Sequence, residues 1–117
     1  GLLEAPYSFA SRFESGDGTN PEELIGAAEA GCFSMALSLM LEKEGYPPEQ
    51  ITSKASVTID KQGEGFAITS IALKMKARVP GIDEETFQRI AEQAKQGCPV
   101  SKALSGTTIE LQAHLES

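Results

Sequence analysis

The stretch from Thr19 to Gly45, TNPEELIGAAEAGCFSMALSLMLEKEG, constrains the fold more than any other part of the chain. Its chemistry predicts one long helix with a cysteine near the middle. Asn20 is a good N-cap, Pro21 suits the first helical position, and Glu23 falls where a capping-box residue sits. Gly45 supplies the stop. Residues 21 to 44 would span about 36 Å at 1.5 Å per residue. From Leu24 to Leu41 the only charge is Glu29. Leu24, Ala28, Cys32, Met35 and Leu39 share one stripe, which Leu37, Met40 and Leu41 widen. A helix this apolar is expected to be mostly buried. Gly26, Ala27, Ala28, Ala30 and Gly31 keep its first half thin enough for another backbone to approach. Each glycine costs about 1 kcal/mol of helix stability against alanine, and access to the Cys32 sulfur is one reason to accept that cost.

The elements around this helix are mostly strands. Tyr7 to Phe13 alternates, with Tyr7, Phe9 and Phe13 on one face and Ser8, Ala10 and Arg12 on the other. Pro47 and Pro48 forbid continuation of the helix. Ile51 to Asp60 reads as a strand with Ile51, Ala55, Val57 and Ile59 inward. A hairpin at Gln62-Gly63-Glu64-Gly65 leads into a strand from Phe66 to Val79. The apolar phase of that strand slips from even to odd positions, which predicts a bulge near Ser70. Asp83 caps a second helix, to about Gln96, with Phe87, Ile90, Ala91 and Ala94 at helical spacing. Cys98-Pro99-Val100-Ser101 starts a short third helix, and Thr107 to Leu115 is a last strand with Ile109, Leu111, Ala113 and Leu115 inward. The order β-α-β-β-α-α-β fits an α+β sandwich, including a split βαβ arrangement. That architecture hosts many activities and does not choose among them.

At 117 residues and 12.4 kDa, the expectation is a single domain over residues 1–117. A net charge of -7 with no basic run argues against nucleic acid or an anionic membrane as partner. The apolar run Cys32 to Leu41 is too short to span a bilayer, and the protein is expected in the cytoplasm. Gly1 is no initiator residue and the chain opens as a loop would, so further residues are expected before it.

Few side chains can do chemistry. His114, the only histidine, alternates with inward residues and is expected to face solvent, which removes a Cys-His pairing. Two cysteines and one histidine, far apart, match no four-ligand zinc spacing. There is no phosphate loop or dinucleotide fingerprint. The two thiols, Cys32 and Cys98, remain. From composition alone they read as buried residues before they read as redox groups. A reactive cysteine must be a thiolate, and burial on an apolar stripe would oppose that. With no histidine available, the activating charge would be Arg or Lys, and Arg12 lies on the strand just before the helix. Cys98 stands at a helix N-terminus, where the dipole favours a thiolate, although it could simply be a cap.

Three segments, TNPEELIGAAEAGCFSMALSLML, FAITSIALKMKARVPGI and AKQGCPVSKAL, resemble the OsmC/Ohr family of osmotically inducible and organic hydroperoxide resistance proteins. The likeness is closest to the OsmC branch and covers the chain from about Tyr7 onward. The resemblance implies an α+β fold with antiparallel sheets packed on a long central helix, in an intertwined homodimer. This chain lacks strands that such proteins usually carry before Tyr7.

Carried over by position, the resemblance implies that Cys32 is the peroxidatic thiol and Cys98 the resolving thiol. Arg12 matches the activating arginine, and Glu22 the carboxylate that holds it. It further implies reduction of organic hydroperoxides with no cofactor, recycled by an external dithiol such as a lipoylated protein. Leu24, Phe33, Met35 and Phe66 are expected to form an apolar wall for the substrate. Two other readings stay open: a non-enzymatic regulatory or binding domain with inert thiols, and a family member whose role is not peroxide removal.

Overall fold

The computed structural model describes residues 20–116. The strand expected at Tyr7–Phe13, and Arg12 with it, lies outside the described residues. Six elements follow in order. They are helix α1 (Pro21–Lys43), strands β1 (Gln50–Gln62) and β2 (Gly65–Arg78), helices α2 (Glu84–Gly97) and α3 (Pro99–Ala103), and strand β3 (Thr108–Glu116). This is the α+β architecture that the sequence pattern predicts.

Local chemistry sets the boundaries. The Asn20 side chain accepts a hydrogen bond from the Glu23 backbone N–H at 2.8 Å, satisfying one orphan donor of α1. Gly45 has φ of 90°, the left-handed conformation that ends helices on glycine. Asp83 caps α2 by accepting from the Thr86 N–H at 3.0 Å and the Thr86 hydroxyl at 2.7 Å.

The sheet has the order β1-β2-β3. Strands β1 and β2 form an antiparallel hairpin closed by a two-residue loop, with Gln62 opposite Gly65 and Gly63 at φ of 59°. Thr58 pairs with Ser70 but Ile59 pairs with Ile68, so Thr69 is an extra residue. This is the bulge that the phase slip predicts. Strand β3 runs parallel to β2, so the sheet is mixed rather than purely antiparallel. The chain leaves the end of β2, passes through both short helices and re-enters alongside; a crossover of that length permits parallel pairing.

One face of the sheet carries Leu73, Met75 and Ala77 into a core with Phe33, Leu37 and Leu41 of α1 and Phe87, Ile90, Ala91 and Ala94 of α2. The other face is polar and exposed, His114 included. The buried stripe of α1 is Gly26, Glu29, Phe33, Leu37 and Leu41. The expected stripe through Met35 and Leu39 is not the buried one, because these residues are 76% and 53% exposed. The helix is apolar around its whole circumference, so spacing alone does not select a face. By length and composition α1 could cross a membrane, a longer apolar span than the Cys32–Leu41 run suggested. It packs instead against the sheet and α2.

Gly26 has its own reason. A Cβ there would lie 3.2 Å from Val57 Cγ2 and 3.4 Å from the Ala55 carbonyl oxygen, so the glycine lets α1 lie close on β1. At Gly31 no described atom lies within 4 Å of such a Cβ.

Candidate active site

Cys32 lies in the middle of α1, half-buried, and Cys98 is fully buried at the junction of α2 and α3. They are 66 positions apart in sequence, yet their thiols are neighbours, close enough for each to act on the other. The junction brings this about. Helix α2 ends at Gly97, Cys98 adopts extended backbone, and Pro99 opens α3 with a preset φ. The chain therefore turns sharply at the thiol and presents it to α1.

The electrostatics of Cys32 are mixed. Burial pushes its pKa above the ordinary thiol value, and the adjoining Cys98 thiol and the Glu29 carboxylate push the same way. The backbone N–H of Val100 donates to the Cys32 sulfur and pulls it down. The Val100 amide in the first turn of α3 thus serves Cys32 rather than Cys98, the thiol that its sequence position suggested.

Glu29 and Ser101 complete the cluster. Glu29 is 0% exposed, the one buried charged residue among those described. The Ser101 hydroxyl donates to Glu29 Oε1 at 2.5 Å, and Oε2 has no partner. Neither residue was singled out as functional from the sequence. The signal was present, since Glu29 is the lone charge in an apolar helix and Ser101 sits in the GCPVS segment.

Of the four expected site residues, the structure brings Cys32 and Cys98 together. Glu22 stands in the first turn of α1, beside a concavity of about 290 Å³ lined by Asn20, Glu22, Glu23, Ala55, Val57 and Ile59. Since α1 is unbroken from Pro21 to Lys43, Glu22 lies about 15 Å along the axis from Cys32. A break in the helix between them is therefore excluded. Arg12 is outside the described residues. The expected apolar wall loses Phe33, which is fully buried in the core, whereas Met35 and Phe66 are exposed.

No group of three or more His, Cys, Asp or Glu among the described residues is arranged to hold a metal. A concavity of about 510 Å³ lined by Lys54, Lys74, Lys76 and His114 opens on the other face of the sheet, and neither thiol lines it. What remains is a dithiol pair set into an apolar core, an arrangement suited to sulfur redox chemistry.

Comparison with known proteins agrees with this arrangement. The model of the OsmC-like protein family matches residues 14–112. Peroxiredoxin OsmC of Escherichia coli is 59% identical over 103 residues, covering 88% of this chain and 72% of that protein. An organic hydroperoxide resistance protein of Xanthomonas axonopodis pv. citri is 35% identical over 92 residues, 78% of this chain and 63% of the relative. Among solved structures, an OsmC-like protein of Mycoplasma pneumoniae superposes with a TM-score of 0.78 at 16% identity, covering 88% of this chain and 76% of that one. That last likeness concerns the fold alone. With a dithiol core of this geometry, a family model spanning most of its length and a relative at this identity, the chain belongs to the OsmC-like protein family.

Proposed function

We propose that this protein is a cysteine-based peroxidase that reduces organic hydroperoxides to alcohols. The observation that carries the reading is the direct contact between the Cys32 and Cys98 thiols. Two neighbouring thiols are the pair that a disulfide joins. The names of the relatives, a peroxiredoxin and an organic hydroperoxide resistance protein, point to the same chemistry.

The reaction runs in two displacements. The Cys32 thiolate attacks the terminal oxygen of the hydroperoxide, the O–O bond breaks, and the alkoxide leaves and is protonated to alcohol. Cys32 becomes a sulfenic acid. Cys98 then attacks that sulfur, an S–S bond forms, the S–O bond breaks, and water leaves. An external dithiol, a lipoylated protein being our choice, reopens the bridge by thiol–disulfide exchange. In this scheme Arg12 steadies the thiolate and the developing charge on the peroxide oxygens, and Glu22 holds Arg12. We place the reaction in the cytoplasm, where free thiols persist, and in a homodimer whose partner surface is the uncovered face of α1. No bound cofactor enters the scheme.

Treating the protein with one equivalent of cumene hydroperoxide should abolish both free thiols, with a mass loss of two hydrogens. Cys98→Ser should consume one equivalent and then stall or over-oxidise. Two free thiols surviving the treatment would overturn the peroxidase and favour a regulatory domain with inert cysteines.

A further inference from the structure

We infer that Glu29 is a positioning residue for the resolving step, acting through Ser101 to hold Cys98 against Cys32. The inference rests on the peroxidase reading and adds a part to its machinery. Glu29 and Cys32 are three residues apart on α1, and Cys98 and Ser101 are three apart where the chain enters α3. Glu29 and Cys32, so spaced within a helix, lie on one face of α1. Cys32 meets Cys98, and Glu29 meets Ser101 at 2.5 Å. The two contacts run in opposite sequence directions, as two rungs of one antiparallel ladder. Neither rung can slide without the other.

Helix α3 is lightly held. It is five residues long, none of them buried, and no side chain caps its N-terminus. Ser101 to Glu29 ties α3 to α1 through a side-chain hydrogen bond, beside the Val100 amide that meets the Cys32 sulfur. The bond joins a hydroxyl to a fully buried carboxyl group, away from competing water.

The carboxylate is otherwise out of place. It is fully buried, and Oε2 has no partner, an arrangement that costs stability. It also disfavours the Cys32 thiolate, and so works against the first displacement. An apolar side chain would serve packing better. The benefit lies in the second displacement, where the Cys32 sulfenic acid is either captured by Cys98 or oxidised further by a second peroxide. Holding α3 in register raises the effective concentration of Cys98 and decides that race. The electron balance is unchanged: the Cys98 sulfur is oxidised, the sulfenic sulfur is reduced, and the thiol proton leaves with the oxygen as water.

The test compares the full chain with Glu29→Ala, Ser101→Ala, their combination and Ser101→Thr. The Cys32–Cys98 disulfide is first equilibrated against a dithiothreitol redox buffer, without peroxide. Each alanine variant should lower the disulfide equilibrium constant by about tenfold or more. The double variant should fall no further than the worse single, because both remove the same bond. Ser101→Thr, which keeps the hydroxyl, should restore the constant. With excess cumene hydroperoxide, the alanine variants should accumulate Cys32 with two added oxygens while the wild type forms disulfide. If Glu29→Ala does not fold, Glu29→Gln keeps its volume and weakens the same bond. Equilibrium constants equal to wild type in both single variants would overturn the inference, as would losses that simply add in the double. A wild type that forms the disulfide in buffer but consumes no peroxide would instead sink the peroxidase reading, with the equilibrium arm still deciding the role of Glu29.

Discussion

Cys32 sits where opposing influences meet, and most of those in view work against its chemistry. Burial, the Cys98 thiol and the Glu29 carboxylate all raise its pKa, and the Val100 N–H opposes them. A thiol whose pKa is raised stays protonated over a wider range and is a poorer nucleophile at neutral pH. The proposed activation by Arg12 therefore has a definite job, which is to reverse that direction. In Arg12→Ala the midpoint of Cys32 alkylation against pH should move upward, past the ordinary thiol value of about 8.5. Peroxide reduction should slow by about two orders of magnitude or more, in line with loss of a preorganised donor. Arg12→Lys should recover little, since an ammonium cannot fork between sulfur and carboxylate. An unchanged alkylation profile and rate in Arg12→Ala would remove that residue from the site. At this scale the two thiols were legible because sulfur is rare in the chain and its chemistry is narrow. The pairing of Glu29 with Ser101 was not, because a contact across 72 positions depends on how α3 docks, which no local pattern encodes.

The elements were read most reliably where the cause is local. Asn20, Gly45, Asp83 and Pro99 mark helix ends through their own hydrogen bonds or backbone preferences. The bulge could be read because a phase slip in β2 has only a few physical remedies. Two features could not be read this way. An all-round apolar α1 does not announce which stripe meets the sheet, and strand direction in β3 depends on the crossover rather than on its residues. The bulge itself makes a sharp prediction. Thr69 is the unpaired residue, so deleting it leaves Ile68 and Ile71 on the faces they already occupy and makes the pairing regular. Its removal sacrifices the 2.7 Å hydrogen bond from Thr69 to Asp60, an exposed one. Stability should change by about 1 kcal/mol or less, the scale of surface changes away from special features. Deleting Ala72 is different in kind, because it puts Ile71 and Leu73 out of phase and forces one half of β2 to present the wrong face. Urea unfolding of the two deletions should give a transition near wild type for the first and no cooperative transition for the second. Equal behaviour of the two would mean that Thr69 is not the inserted residue.

For the whole molecule, the question is what covers α1. Ala27, Ala28, Gly31, Met35 and Leu39 line an exposed strip along a helix that a soluble domain would be expected to bury. Gly31 keeps part of that strip flat, with no described atom where a Cβ would point. The same helix carries Glu22 too far from Cys32 to serve it within one unbroken chain, unless Arg12 bridges the gap. Both features are met if two copies pack α1 against α1 about a two-fold axis, since an isologous contact buries the strip on both sides at once. Such an interface would belong to the obligate class, burying about 2,000 Å² or more. Placing a charge at its centre should then be far more damaging than the exposure of the site in one chain suggests. In Met35→Asp, at a position 76% exposed in the isolated chain, a solvent-facing residue would tolerate the change within about 0.5 kcal/mol. At the centre of a dimer, two unpaired carboxylates would face each other across apolar surface, costing several kcal/mol. Sedimentation equilibrium at low micromolar concentration should show wild-type protein at twice the 12.4 kDa chain mass and Met35→Asp dissociated or unfolded. If Glu22 serves the partner's thiol, dissociation should also abolish peroxide reduction. A wild-type monomer with full activity would refute the dimer, and a Met35→Asp protein still dimeric at that concentration would move the interface elsewhere.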